Sequence, residues 1–253
     1  MLDRVEGQRI LTPMAAPGEG ARAAASPFER ADVAGSYEDW CATPYGRWAE
    51  RVEHELVHGL LGPLPDGARV LDLGCGTGRL AGHWSDRGWR AVGLDPSHTM
   101  LERAARRLPV VRADGRRLPF ADGAFDAVCA TFVLEFAADP VAVLREARRV
   151  ARTRVVVLAL ARDSWLGWRR RMQAVRGHPI FAHLRLHPRA RLFDFARAAG
   201  AEPLEARGLL FLPPALVPRL RGIERRLSCA TLVGAGVVGF ALAGAASKHA
   251  ATG

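Results

Sequence analysis

Lysine is nearly absent from this chain: Lys248 is the only one in 253 residues, although lysine and arginine together number 36. Arginine therefore carries the net charge of +10, and with abundant alanine and glycine this points to a composition biased by coding content before it points to a polyanionic partner. Cysteine is scarce as well. Cys41, Cys75, Cys129 and Cys229 show no metal-ligand spacing and fall on expected loops and strands, so they read as free thiols of a reducing cytoplasm. His178, His183 and His187 share a region without forming an i, i+4 pair plus a third ligand, and no zinc or other metal site is expected. A G-x-S-x-G elbow and a recognisable cysteine nucleophile are also missing, which leaves hydrolysis unsupported. The first 30 residues lack the apolar core of a signal peptide and any helical periodicity, and read as a mobile tail.

What is present is an α/β pattern. With 49% hydrophobic residues, the chain can bury one sizeable core, so residues 31–250 are expected to form a single domain. Val70-Leu71-Asp72-Leu73 reads as a strand that turns into a helix through Gly74-Cys75-Gly76-Thr77-Gly78. Glycines at this spacing give a bare surface, because the main chain can take positive φ and approach a ligand closely. A dinucleotide loop would continue as G-x-G-x-x-G, but Arg79 stands where its third glycine belongs. A three-turn helix over Arg79 to Arg87 leads to a second strand, Trp89 to Leu94, that stops at Asp95-Pro96. Asp95 is placed to accept both hydroxyls of a ribose, or to cap the helix that Pro96 opens. Met100 lies one turn into that helix, where a methionine reads as core filler. A third strand at Val110 to Ala113 ends in Asp114-Gly115, a pair that by itself reads as a turn. Phe125 to Ala130 and Val155 to Leu160 complete five strands, separated by a helix from Pro140 to Val150.

The series D-x-G-x-G-x-G, Asp95, Asp114-Gly115 and Leu118-Pro119-Phe120-Ala121-Asp122-Gly123-Ala124-Phe125-Asp126-Ala127-Val128 resembles the class I S-adenosylmethionine (SAM) dependent methyltransferases, of the type 11, UbiE-like, small-molecule branch. The resemblance is strong over 68–162, the expected SAM-binding core. It implies a Rossmann-like, doubly wound, seven-stranded sheet, mostly parallel with the last strand antiparallel. It also implies transfer of a methyl group from SAM to a small organic acceptor, leaving S-adenosylhomocysteine. By the same resemblance Asp72, Gly74, Gly76 and Gly78 would form the methionine-side floor, and Asp95 with Pro96 the ribose side. Met100, Asp114 and Gly115 would meet the adenine. Thr131 and Glu135 would face the transferred methyl, with Glu135 the first candidate for a base and Tyr37, Tyr45 and His187 weaker ones. Ser36 to Trp40 and Thr43 to Trp48 resemble the lid segments of small-molecule relatives. The lid would span 36–61, bring Tyr37 and Trp40 over the cofactor, and have its helix begin near Ala49.

Beyond residue 162 the sequence is less specific. A helix from Pro188 to Gly200 and a strand from Ala206 to Leu212 are expected in the substrate-side region 163–250. The uncharged run 227–247 is long enough for a membrane span, but four glycines dilute it, and Val233 to Ala243 would supply the seventh strand as antiparallel partner of the sixth. Arg169-Arg170-Arg171 beside Trp165 and Trp168 could face nucleic acid, though charge runs are usually solvated helix faces. The N/D-P-P-Y/F tetrad of many amino-directed nucleic-acid enzymes is absent, with Ala130-Thr131-Phe132-Val133 in its place. The main expectation is a cytoplasmic small-molecule methyltransferase. A membrane-associated lipid or quinone methyltransferase and a non-catalytic SAM-binding module are the alternatives.

Overall fold

Apolar runs bounded by turn residues become the strands of a single twisted sheet. The computed structural model of the chain describes residues 2–5, 8–11, 27–209, 216, 222–223, 226 and 232–245. In chain order the strands are β1 (Leu2–Val5), β2 (Gln8–Leu11), β3 (Arg69–Leu73), β4 (Arg90–Asp95), β5 (Val110–Arg112), β6 (Phe125–Thr131), β7 (Ala151–Leu160), β8 (Glu205–Leu209) and β9 (Val237–Ala243). Their order across the sheet is β1-β2-β5-β4-β3-β6-β7-β9-β8. The seven expected strands are all present, β5 through β8 in that order, with β9 running antiparallel to both β7 and β8.

Two further strands extend this arrangement. β1 and β2 form an antiparallel pair, and β2 adds parallel to the edge strand β5 through Ile10↔Val110 and Leu11↔Val111. The expected mobile tail over 1–30 thus contains two sheet strands and a 3-10 turn at Pro27–Glu29. Backbone groups of an exposed sheet edge offer a template for such pairing, a signal that composition does not carry.

The helices are α1 (Ala31–Ala42), α2 (Pro44–Leu61), α3 (Arg79–Gly82), α4 (His98–Ala104), α5 (Pro140–Val150), α6 (Trp165–Val175) and α7 (Arg189–Ala198). α5 follows the sequence pattern closely: Asp139 accepts from the Val141 and Ala142 amides, Pro140 sits in the first turn, and Val143, Leu144, Ala147 and Val150 are buried. Its face packs with α7 on one side of the sheet. On the other side lie Leu56, Val57, Leu60 and Leu61 of α2, Ala81 of α3, Leu101 of α4 and Leu166 of α6. Each fully buried leucine here contributes roughly 1.5–3 kcal/mol.

Three local expectations are corrected. The lid segments are helical on both sides of an extended Thr43, because Pro44 opens α2 and the Thr43 hydroxyl caps it on the Gly46 amide, so that helix starts five residues before Ala49. Cys41 consequently lies on a helix, buried like Cys75 and Cys129. The helix after the glycine loop ends at Gly82 and is followed by a 3-10 turn at Ser85–Arg87, since glycine is a poor helix former and Trp84 turns fully inward.

The run 227–247 is accounted for in part. Val237–Ala243 is a buried strand between β7 and β8, while 227–231 and 246–247 lie outside the described residues, as do 210–212 of the expected sixth strand. Among the described residues no helix is long and apolar enough to cross a membrane.

Candidate active site

The strand order reverses direction at β3, which pairs with β4 on one side and β6 on the other. In an open α/β sheet the crevice beyond the carboxyl ends of two such strands is where ligands bind. Register aligns those ends, with Leu73 opposite both Leu94 and Ala130. Asp72, the glycine loop, Asp95, Asp114 and Thr131 are therefore gathered at one rim, although they are separated by up to 59 residues in sequence.

The loop after β3 has Gly74, Gly76 and Gly78 all at positive φ. They do different work. A Cβ on Gly74 would strike Val133 Cγ2 at 2.5 Å and one on Gly78 would strike Leu108 Cδ2 at 2.6 Å, whereas one on Gly76 would meet nothing within 4 Å. Gly74 and Gly78 let the loop pack, and Gly76 has open space where a side chain would stand.

Asp95 holds this loop. Its Oδ2 accepts from the Gly76 amide at 3.0 Å and its Oδ1 from the Ser97 amide at 2.8 Å. Each oxygen keeps a further lone pair. Burial raises its pKa to about 6 against the opposing pull of those two amides. Asp72, one residue from the end of β3, is almost completely buried, and neither carboxylate oxygen has a hydrogen-bond partner. Burial first, and the negative charge of Asp95 second, push it up to about 7, against a smaller opposing pull from the nearby Ala81 amide, which is not in hydrogen-bonding geometry with either oxygen. An unpaired buried carboxylate is costly, and a cationic group brought beside it would relieve that cost.

Around these groups the adenine-side residues are less uniform. Met100 is buried on α4 against Val33 and Ala34 of α1. The Pro96 carbonyl accepts from Arg112 Nε at 3.0 Å. Asp114 is half exposed and engaged by Arg116, whose Nη2 lies 2.6 Å from Oδ2; that hydrogen bond holds its carboxyl below the usual range. Gly115 follows it, with its Cα facing Leu73 and Val143. Thr131 ends β6, and Phe132 after it takes φ 56°. A bulky residue in the left-handed region is strained and such residues cluster at functional loops. Sequence gave no sign of it.

Glu135 is fully buried. Its Oε1 accepts from the Leu160 amide and its backbone carbonyl from the Arg185 amide at 2.8 Å, while Oε2 has no partner. Burial poises the carboxyl at about 7. Of the weaker base candidates, His187 is half-buried edge-on to Phe195 at 4.9 Å, and Tyr45 packs beside Trp48 at the start of α2. Tyr37 and Trp40 stack on each other along α1 at 6.3 Å.

A network that sequence reasoning missed ties the expected lid to the loop. Arg79, directly after Gly78, reaches Glu50 of α2 through both Nε and Nη2, and Glu38 of α1 through Nη1 at 3.0 Å. Arg107 binds Glu38 as well and donates to the Thr77 carbonyl at 2.7 Å. Ahead of α1, Ser97 Oγ donates to the Phe28 carbonyl at 2.8 Å, and the Phe28 ring meets Phe136 edge-on at 4.8 Å. The departure of Arg79 from a dinucleotide fingerprint was the one available clue. Among the described residues no group of three or more potential ligands is placed to hold a metal.

This sheet order and rim define a Rossmann-like methyltransferase fold. Residues 71–159 match the family described as "Methyltransferase domain". It is 38% identical over 146 residues to a demethylmenaquinone methyltransferase of Beutenbergia cavernae, covering 53% of this chain and 60% of the relative. An uncharacterised protein of Mycobacterium tuberculosis is 32% identical over 186 residues, covering 72% and 63%. The chain thus spans about three-fifths of the length of these curated relatives. Among solved structures, a SAM-dependent methyltransferase of Thermotoga maritima superposes with a TM-score of 0.68 at 24% identity, covering 86% of this chain and 97% of that one.

The residues at the rim fit SAM. Gly76 offers open backbone, Asp72 an unpartnered buried carboxylate suited to an ammonium or sulfonium charge, and Asp95 spare acceptor capacity suited to vicinal hydroxyls.

Proposed function

We propose that the protein transfers the methyl group of SAM to a small organic acceptor. The buried Asp72 carboxylate, without a hydrogen-bond partner two residues before the glycine loop, carries this reading, because a cationic ligand would satisfy it. Asp72 and Gly74, Gly76 and Gly78 would hold the methionine portion, Asp95 and Pro96 the ribose, and Met100, Asp114 and Gly115 the adenine. When bound, the cofactor supplies a methyl group made electrophilic by its sulfonium. The chain's own contribution is orientation and exclusion of water. Arg79 and Arg107 tie α1 and α2 to the loop, and on this reading Tyr37 and Trp40 of α1 would belong to an element that shields the crevice. Thr131 and the strained Phe132 set the rim opposite the loop.

If the acceptor is a hydroxyl or an ammonium, a proton must be removed. Glu135 has the proton affinity for this near neutral pH, but its enclosure makes its role here positional: it joins the end of β7 to the segment carrying Arg185. Glu135→Gln is expected to lower turnover without altering the shape of the pH–rate profile. Loss of a limb with an apparent pKa near 7 would make Glu135 the base.

A quinone or other lipid acceptor is favoured by the name of the Beutenbergia relative. Incubation with labelled SAM and a panel of small acceptors, quinones and RNA separates these readings. Label in a soluble product supports the first, and label only in an extracted lipid the second. Tight SAM binding with no labelled product would identify a non-catalytic binding module.

A further inference from the structure

Outside the rim, the three arginines that follow Trp168 do not form one solvated face. On α6 successive side chains diverge around the axis, and Arg169 stacks over Trp165 at 5.7 Å. Arg170 turns the other way, onto the Phe181 ring at 4.2 Å, and lines a cavity of about 320 Å³. Arg162, Arg171 and Arg185 line it too, and the rest of the wall is Phe181 with Ala174, Leu184 and Leu186. No carboxylate lines it. Asp163, next to Arg162, is taken by Arg189 at 2.9 Å. Among the described residues none of the four lining arginines is in an ion pair, and the buried Nε of Arg170 has no hydrogen-bond partner. Glu53 of α2 is the acid that Arg170 senses, and desolvation pushes that carboxyl up to about 8, so it is largely protonated near neutrality.

Four like charges around one small cavity repel each other unless an anion joins them, and guanidinium forks match phosphate oxygens in geometry. The cavity has the size of a small-molecule site. It also adjoins the proposed methyl-transfer rim. The Arg185 amide donates to the Glu135 carbonyl at 2.8 Å, the Arg162 amide to the His187 carbonyl at 2.9 Å, and Glu135 itself receives the Leu160 amide at the end of β7.

We propose that this cavity binds the phosphate or diphosphate group of a small methyl acceptor, with Arg162, Arg170, Arg171 and Arg185 as its ligands and Phe181 packing Arg170 in place. The assignment of the anion to an acceptor rests on the methyltransferase reading; the anion site itself does not.

Calorimetric titration of the full chain with inorganic pyrophosphate tests it. One-to-one binding at least tenfold tighter than acetate is expected, reduced at least tenfold in Arg170→Met and in the exposed Arg185→Met, with affinity for S-adenosylhomocysteine unchanged. Circular dichroism melting controls for folding of the Arg170 variant, and Arg185→Met keeps the test decisive if that variant fails to fold. Displacement of pyrophosphate by phosphatidylglycerol vesicles would assign the anion to a lipid headgroup, and displacement only by soluble phosphate esters to a soluble acceptor; either supports the site. Pyrophosphate binding that is absent, or unchanged in Arg185→Met, overturns it. Intact pyrophosphate binding with no binding of S-adenosylhomocysteine would instead overturn the methyltransferase reading and leave the anion site standing.

Discussion

Asp72 sits at the end of β3 as an acid whose solvation has been removed and not replaced. Because its folded pKa is raised from 3.8 to about 7, the folded chain holds a proton there that the unfolded chain has already lost. Its contribution to stability is therefore fully present below about pH 4 and is lost as pH rises to about 7. Asp72→Asn is expected to remove that slope, on the order of 2 kcal/mol between pH 5 and 8 in urea unfolding. A cationic ligand should expel the proton, so SAM binding near pH 6 is expected to release protons in the wild type and not in Asp72→Asn, read from calorimetry in buffers of different ionisation enthalpy. Asp95 acts differently, because its oxygens already hold Gly76 and Ser97. Asp95→Ala should weaken SAM binding at least tenfold without unfolding the protein; unchanged affinity would remove it from the ribose site. These acids and glycines were legible as residue types at meaningful spacings. Which of them is paired, which orphaned and which engaged by Arg116 depends on neighbours that sequence does not order.

At the scale of elements, the glycine loop separates packing from binding. Gly78→Ala forces Cβ against Leu108 and Ala104 and should cost stability by about 1–3 kcal/mol. Gly76→Ala meets open space, so its stability cost should stay near the roughly 1 kcal/mol of a left-handed alanine, while SAM affinity falls by a larger factor. Equal effects of the two on affinity and stability would contradict this division. The helices of the expected lid were legible from residue 49 onward, where apolar spacing is regular. Ser36 to Trp48 was not, since its helices are set by the Thr43 cap and the Pro44 start, and tied down by Arg79 and Arg107 from 29 to 69 residues away. Arg79→Met is expected to loosen α1 and α2, seen as faster amide exchange over 31–61 with the exchange of β3 and β6 unchanged.

Over the whole molecule, Arg148 is the strap that the strand pattern did not announce. Nearly fully buried on α5, it donates to the carbonyls of Ala243 at the end of β9 and Ala199 after α7, joining three elements far apart in the chain. Arg148→Met leaves both carbonyls without this donor and should cost roughly 1–3 kcal/mol in urea unfolding. The strand runs, the α5 pattern and the order of motifs from Asp72 to Asp114 follow from sequence alone, because hydrophobic periodicity and turn chemistry are local properties. The tertiary structure decided that β9 inserts between β7 and β8, that β1 and β2 extend the edge at β5, and that four arginines converge on one cavity. Those outcomes depend on non-local pairing and on which charges share a solvent-poor space, and neither is encoded in the spacing of residues along the chain.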